Sequence, residues 1–152
     1  VIAMIIQTAS WGELDIAEEQ IYRFPKGMPG FEEETEFALI SLEEGPFDYL
    51  QSTKEPGFAF LLGDPFVYYP QYEFELPEAD TEELDIQSQV VIRCIISLKE
   101  QIDQSTMNLL APVVLNPDKN LGKQVVLHHS PYQTRHPLWS ESGSQPSAKA
   151  GE

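Results

Sequence analysis

Residues 107–116, Met-Asn-Leu-Leu-Ala-Pro-Val-Val-Leu-Asn, form an apolar run between two asparagines with a proline in the middle. Proline has no backbone N–H to give to a ladder, so Pro112 belongs at a sheet edge, a strand start or a bulge. The run therefore divides there, and Val113, Val114 and Leu115 are its clearest strand. Residues 116–122 are dense in turn formers and should return the chain into a second strand over 124–129. The segment 90–98 precedes the run and alternates, with Val90, Ile92, Cys94, Ile96 and Leu98 on one face. These three strands are expected to lie side by side and floor a core.

The rest of the chain repeats this pattern of short apolar segments cut by turns. Strands are expected over 5–8, 13–16, 20–24, 37–42 and 58–62, while 47–52 fits either a strand or a short helix. The loop 25–31 holds two prolines and two glycines, which restrict the backbone at some points and permit φ > 0 at others, so it should be shaped. The best helix signal is 80–85, with Asp80 as cap and Glu83 in capping-box position. The expected fold is mainly β: a small antiparallel barrel-like or sandwich domain with one or two short helices. Residues 4–139 read as one domain, 140–152 as a disordered polar tail, and 1–3 as preceding a natural start at Met4.

Charge narrows the partners. The chain has 25 acidic and 9 basic residues, a formal net charge of −16. No lysine or arginine occurs between Lys26 and Lys54 or between Lys54 and Arg93. Such a surface repels phosphate backbones and anionic membranes, which argues against direct nucleic-acid or membrane binding. It favours basic proteins. A single cysteine forms no internal disulfide, which suits a cytoplasmic protein.

Catalytic signals are weak. Cys94 sits on an alternating apolar face, where a thiol is structural. His128, His129 and His136 lack metal-ligand spacing, and neighbouring side chains on a strand point to opposite faces. Runs such as Glu32-Glu33-Glu34 look solvated rather than arranged to raise a carboxyl pKa. No phosphate-binding glycine loop or serine nucleophile motif occurs. No catalytic residue, metal ligand or cofactor is expected. The competing reading is a small-molecule- or metal-binding β-barrel enzyme with Tyr, His and carboxylates at its mouth.

A set of motifs, in order, resembles one family. Gly27-Met28-Pro29-Gly30-Phe31-Glu32, Leu50-Gln51-Ser52, Phe60-Leu61, Asp64-Pro65-Phe66, the run 108–116, Gln124-Val125-Val126-Leu127 and residues 132–135 are similar to the flagellar assembly factor FliW family. Met28 stands where the family has leucine, a volume-conserving change. The resemblance implies a small cytoplasmic β-barrel-like protein without enzymatic activity. Its implied partners are flagellin and the carbon storage regulator CsrA, an RNA-binding translational repressor. Under that resemblance Gly27, Pro29, Gly30, Asp64, Pro65, Asn108, Pro112 and Asn116 are scaffold positions. Partner contact is then expected from acids Glu32, Glu33, Glu34, Glu43, Glu44, Glu73, Glu75, Glu82 and Glu83, with Phe31, Phe66, Tyr69 and Tyr72 as apolar anchors.

Overall fold

The computed structural model describes residues 3–41 and 47–138. Its strands are β1 (Ala3–Thr8), β2 (Gly12–Ala17), β3 (Ile21–Arg23), β4 (Glu36–Ser41), β5 (Phe47–Ser52), β6 (Ala59–Gly63), β7 (Val91–Ser97), β8 (Thr106–Met107), β9 (Val113–Asn116), β10 (Leu121–Gln124) and β11 (His136–Pro137). Two short helices, α1 (Pro65–Tyr68) and α2 (Glu78–Glu83), lie between β6 and β7. Strands β3 to β7 pair in succession, β3 pairs β10, β10 pairs β9, and β9 pairs β7. The circle closes into a seven-stranded barrel, which leaves those strands without a free sheet edge. All of its pairings are antiparallel except β3 with β10.

The strand alternation explains which residues fill the interior. Tyr22, Phe37, Leu50, Leu62, Val113 and Leu115 point inward and pack with Phe24 and Met28 from the chain after β3. Each such fully buried side chain contributes about 2 kcal/mol of hydrophobic stabilisation. Three smaller clusters cover the outer wall. The β1–β2 hairpin lays Ile6 and Ile16 on Ala38. The chain through α1 packs Tyr72 against Cys94, Ile96 and Met107. The chain around α2 brings Leu84 onto Val114, Val125 and Leu127.

Pro112 stands immediately before β9, where its missing N–H costs no ladder bond, and its carbonyl accepts from Val125 N at 2.9 Å. The three strands expected to neighbour one another do so, as β7, β9 and β10. The return strand begins earlier than the expected 124–129. Asn120 adopts φ +54, so the chain turns tightly enough for Leu121 to pair Asn116, and the regular strand ends at Gln124. Leu98 is not on the buried face: it lies past the end of β7 and is exposed. The region 47–52 is strand.

The helix expected over 80–85 is α2, displaced toward the N-terminus. Pro77 occupies the N-cap without a side-chain bond, and Asp80 lies inside the helix. The Asp80 carboxylate is not free to cap because it binds the Lys123 ammonium at 2.5 Å. Asp85 at φ +54 ends the helix in the left-handed conformation common at such positions. The tail expected over 140–152 lies outside the described residues.

Candidate protein-binding surfaces

The first candidate surface is the loop after β3. Gly27, at φ +66, donates to the Phe24 carbonyl at 2.7 Å. Phe31 N then donates to Met28 O at 2.7 Å, closing a four-residue turn with Pro29 and Gly30 in its centre. Gly30 has φ +86, as the third residue of a type II turn requires, and Pro29 supplies the fixed φ before it. The turn holds Phe31 outward. Phe31 is 49% exposed, and its ring packs at 4.8 Å, centroid to centroid, on Phe58. Glu32 and Glu33 are exposed beside it. Glu34 accepts from Ser52 Oγ at 2.8 Å, so this carboxylate also holds the neighbouring loop.

The second surface is α1. Asp64 caps it, accepting from Phe66 N at 2.9 Å, and Pro65 occupies the first turn, where no N–H is needed. Phe66 and Val67 project into solvent at 43% and 47% exposure. Tyr69 is half-buried and donates its hydroxyl to the Pro137 carbonyl. Tyr72 is not an exposed anchor. It is buried, and its hydroxyl donates to the Leu109 carbonyl at 2.8 Å. Burial raises its pKa, with smaller contributions from Cys94 and Tyr132.

The third surface is the acidic arm running from 73 through α2. Glu73, Glu75 and Glu82 are exposed. Glu83 is not an open acid: it meets Lys26 at 2.8 Å and Lys123 at 2.7 Å. Hydrogen bonds from Lys123 and then Lys26 hold its pKa below the ordinary carboxylate value. Desolvation pulls the Lys123 pKa down, but its bonds to Asp80 and Glu83 outweigh that and leave it raised. Asn116 fastens the end of α2 to β9, donating Nδ2 to Leu84 O at 2.8 Å and Asp85 O at 3.1 Å. Its partner asparagine, Asn108, accepts from the amides of Leu110 and Ala111 at 3.1 and 3.0 Å. Glu43 and Glu44 lie outside the described residues.

Residues that carry catalysis elsewhere are here structural or dispersed. Cys94 is buried, and desolvation pushes its thiol up to about 12. Burial lowers the pKa of His136, whose Nε2 accepts from Gln133 N at 2.9 Å. Among the described residues no three His, Cys, Asp or Glu side chains are grouped to hold a metal ion, and no helix is long and apolar enough to cross a membrane. One ion pair had no signal in local sequence: Asp48 and Arg93, on β5 and β7, meet at 2.8 Å although they are 45 positions apart.

The family described as FliW protein matches residues 5–138. The flagellar assembly factor FliW of Geobacillus sp. (strain WCH70) is 44% identical over 140 residues, covering 91% of this chain and 97% of the relative. That of Bacillus subtilis (strain 168) is 44% identical over 142 residues, covering 91% and 99%. A crystal structure of the flagellar assembly factor FliW superposes with a TM-score of 0.86 at 41% identity, covering 91% of this chain and 99% of the other.

Proposed function

The chain belongs to the FliW family of flagellar assembly factors, and on that premise we propose that it is a non-enzymatic adaptor of the cytoplasm with two protein partners. It binds flagellin and, when free of it, binds and antagonises CsrA, so that flagellin mRNA is translated. The observation that best supports this reading is the placement of uncompensated acid. Of the eight bases among the described residues, Lys26, Arg93, Lys119 and Lys123 are engaged in ion pairs within the fold, while Arg23, Lys54, Lys99 and Arg135 are exposed outside those pairs. Glu32, Glu33, Glu73, Glu75 and Glu82 stand exposed. Exposed aromatics Phe31 and Phe66 lie on the same molecule as apolar anchors. Buried apolar anchors supply most of the affinity in interfaces of this kind, while charge contributes encounter rate and selectivity.

A docked acidic protein also lowers the affinity of a basic surface for RNA without covering the RNA site, because the two charges act over about a Debye length, ~8 Å at physiological salt. The test is calorimetric titration with flagellin and with CsrA separately, each repeated with the other partner present. Tight binding to each alone, with loss of one when the other is bound, is expected. Binding to neither overturns the proposal.

A further inference from the structure

A groove of about 630 Å³ on the outer wall is lined on one side by the extended chain from 73–77 and on the other by residues from 127–132, which turn at His128 and His129, the latter at φ +59. Glu73 and Glu75 are exposed while Phe74 and Leu76 are half-buried, the two-residue alternation of a strand. Yet 73–76 belongs to no sheet, and among the described residues the amides of Phe74, Glu75 and Leu76 have no backbone acceptor. The segment is tied down by Glu73 N, which donates to the Tyr132 hydroxyl at 3.1 Å.

A second open amide lies where the chain enters the opposite wall. Val125 and Leu127 donate to Pro112 O at 2.9 Å and Leu110 O at 2.8 Å. Ladder bonds along an extended chain alternate between its two edges, so Val126, between them, turns its amide away from that pairing. It has no backbone acceptor among the described residues. Natural proteins blunt such edges with lysine, proline or a covering element. This groove contains Glu73 and Glu75 and is lined by no lysine or arginine.

We propose that the groove is a strand-docking site for an extended peptide segment of a partner protein with cationic side chains at alternate positions. The partner's main chain bonds to the open amides of Glu75 and Val126, its cations lie over Glu73 and Glu75, and its apolar side chains face Phe74, Leu127 and Tyr132. Main-chain bonds give affinity in this mode of recognition, and alternate side chains give selectivity. The inference rests on the reading of the chain as a binder of basic proteins and adds the manner of capture.

The probe is a short synthetic peptide alternating lysine and valine, added to the full chain at low salt and followed by amide hydrogen exchange and titration. Exchange at Glu75, on the same edge as Glu73, and at Val126 is expected to slow by about tenfold or more, and alternate backbone N-methylation of the peptide to weaken binding by about tenfold through lost edge bonds. The double variant Glu73→Lys/Glu75→Lys, altered only at exposed side chains, should prefer a glutamate–valine peptide. Absence of binding at millimolar peptide, protection confined to other segments, or affinity indifferent to N-methylation overturns the proposal. Because the probe is neither flagellin nor CsrA, that failure leaves their titrations to be judged on their own result.

Discussion

Replacing Gly27 with alanine separates two costs that usually arrive together. Gly27 and Gly30 both have positive φ, +66 and +86. Alanine at either position meets the left-handed penalty of about 1–2 kcal/mol. The surroundings differ. A Cβ on Gly27 would lie 2.5 Å from the Cα and carbonyl oxygen of Glu32, whereas one on Gly30 would meet nothing within 4 Å. Glu32 contributes main-chain atoms at that point, and these cannot rotate aside as a side-chain tip does. Relief requires the loop to open, which endangers the two bonds between Met28 and Phe31, at 2.7 and 3.3 Å. Each is worth about 1 kcal/mol net. Gly27→Ala should therefore cost about 3–4 kcal/mol and Gly30→Ala about 1–2 kcal/mol. Urea unfolding of the two variants should show a gap of about 2 kcal/mol at unchanged denaturant slope. Equal losses would refute the claim that the Glu32 main chain makes glycine obligatory at position 27.

Lys123→Met should cost about 2–3 kcal/mol, because it leaves buried Asp80 without its cation. The lowered Glu83 pKa means that its stabilisation is present above the ordinary value of 4.5 and is lost as pH falls through the folded value; acid titration of stability should therefore show a shallower fall below 4.5 in the variant, with Lys26 still in place. Asn116→Ala should cost about 2–3 kcal/mol by orphaning the Leu84 and Asp85 carbonyls and releasing the end of α2, visible as faster amide exchange around Leu84. Tyr72→Phe should cost about 1 kcal/mol through its lost bond to Leu109 and leave flagellin and CsrA affinities unchanged; a selective loss of binding would return Tyr72 to the interface. Antagonism of RNA binding by CsrA should weaken as salt is raised at constant occupancy of the complex, and an unchanged antagonism would remove charge as its cause.

The barrel was legible wherever strand alternation coincided with burial. Ile92, Cys94 and Ile96 could be placed on one face because their strand needed only its own residues to define its two faces, whereas 47–52, which carries Leu50, fitted a short helix as well as a strand. Elements fixed by distant partners were not. Asp80 looked like a helix cap because its local spacing to Glu83 fits one, but the lysine that takes its carboxylate is 43 positions away. Tyr72 read as one exposed aromatic among several, and its buried acceptor, the Leu109 carbonyl, is 37 positions away. Helix α1 has four residues, too few for a periodic signal, and Asp64-Pro65, which caps and starts it, reads in the sequence only as the end of the strand before. The groove edge did carry a local signal. Glu73-Phe74-Glu75-Leu76 alternates in the sequence, but its charge directed the reading to the two acids as partner contacts and not to the backbone between them.

Ion pairing also gives the acidity a direction. Lys123 takes Asp80, Lys26 and Lys123 share Glu83, and Lys119 reaches Asp85 at 3.3 Å, so three cations meet the acids where α2 joins the barrel wall and its neighbouring loops. Exposed pairs such as Lys119–Asp85 add little stability by themselves. Their larger effect is on the field: they cancel charge near the barrel and leave Glu73, Glu75 and Glu82 uncompensated on the solvent side. Exposed acids also stand on other elements, among them Glu13, Glu18, Glu19, Glu32 and Glu33, and net charge of this kind serves solubility wherever it lies. A partner steered by charge needs a local excess on one face, at a fixed position relative to its apolar anchors. In the proposed binding role, the lysines that pin α2 would hold Glu82 in place, and Glu73, Glu75 and Glu82 would supply that excess.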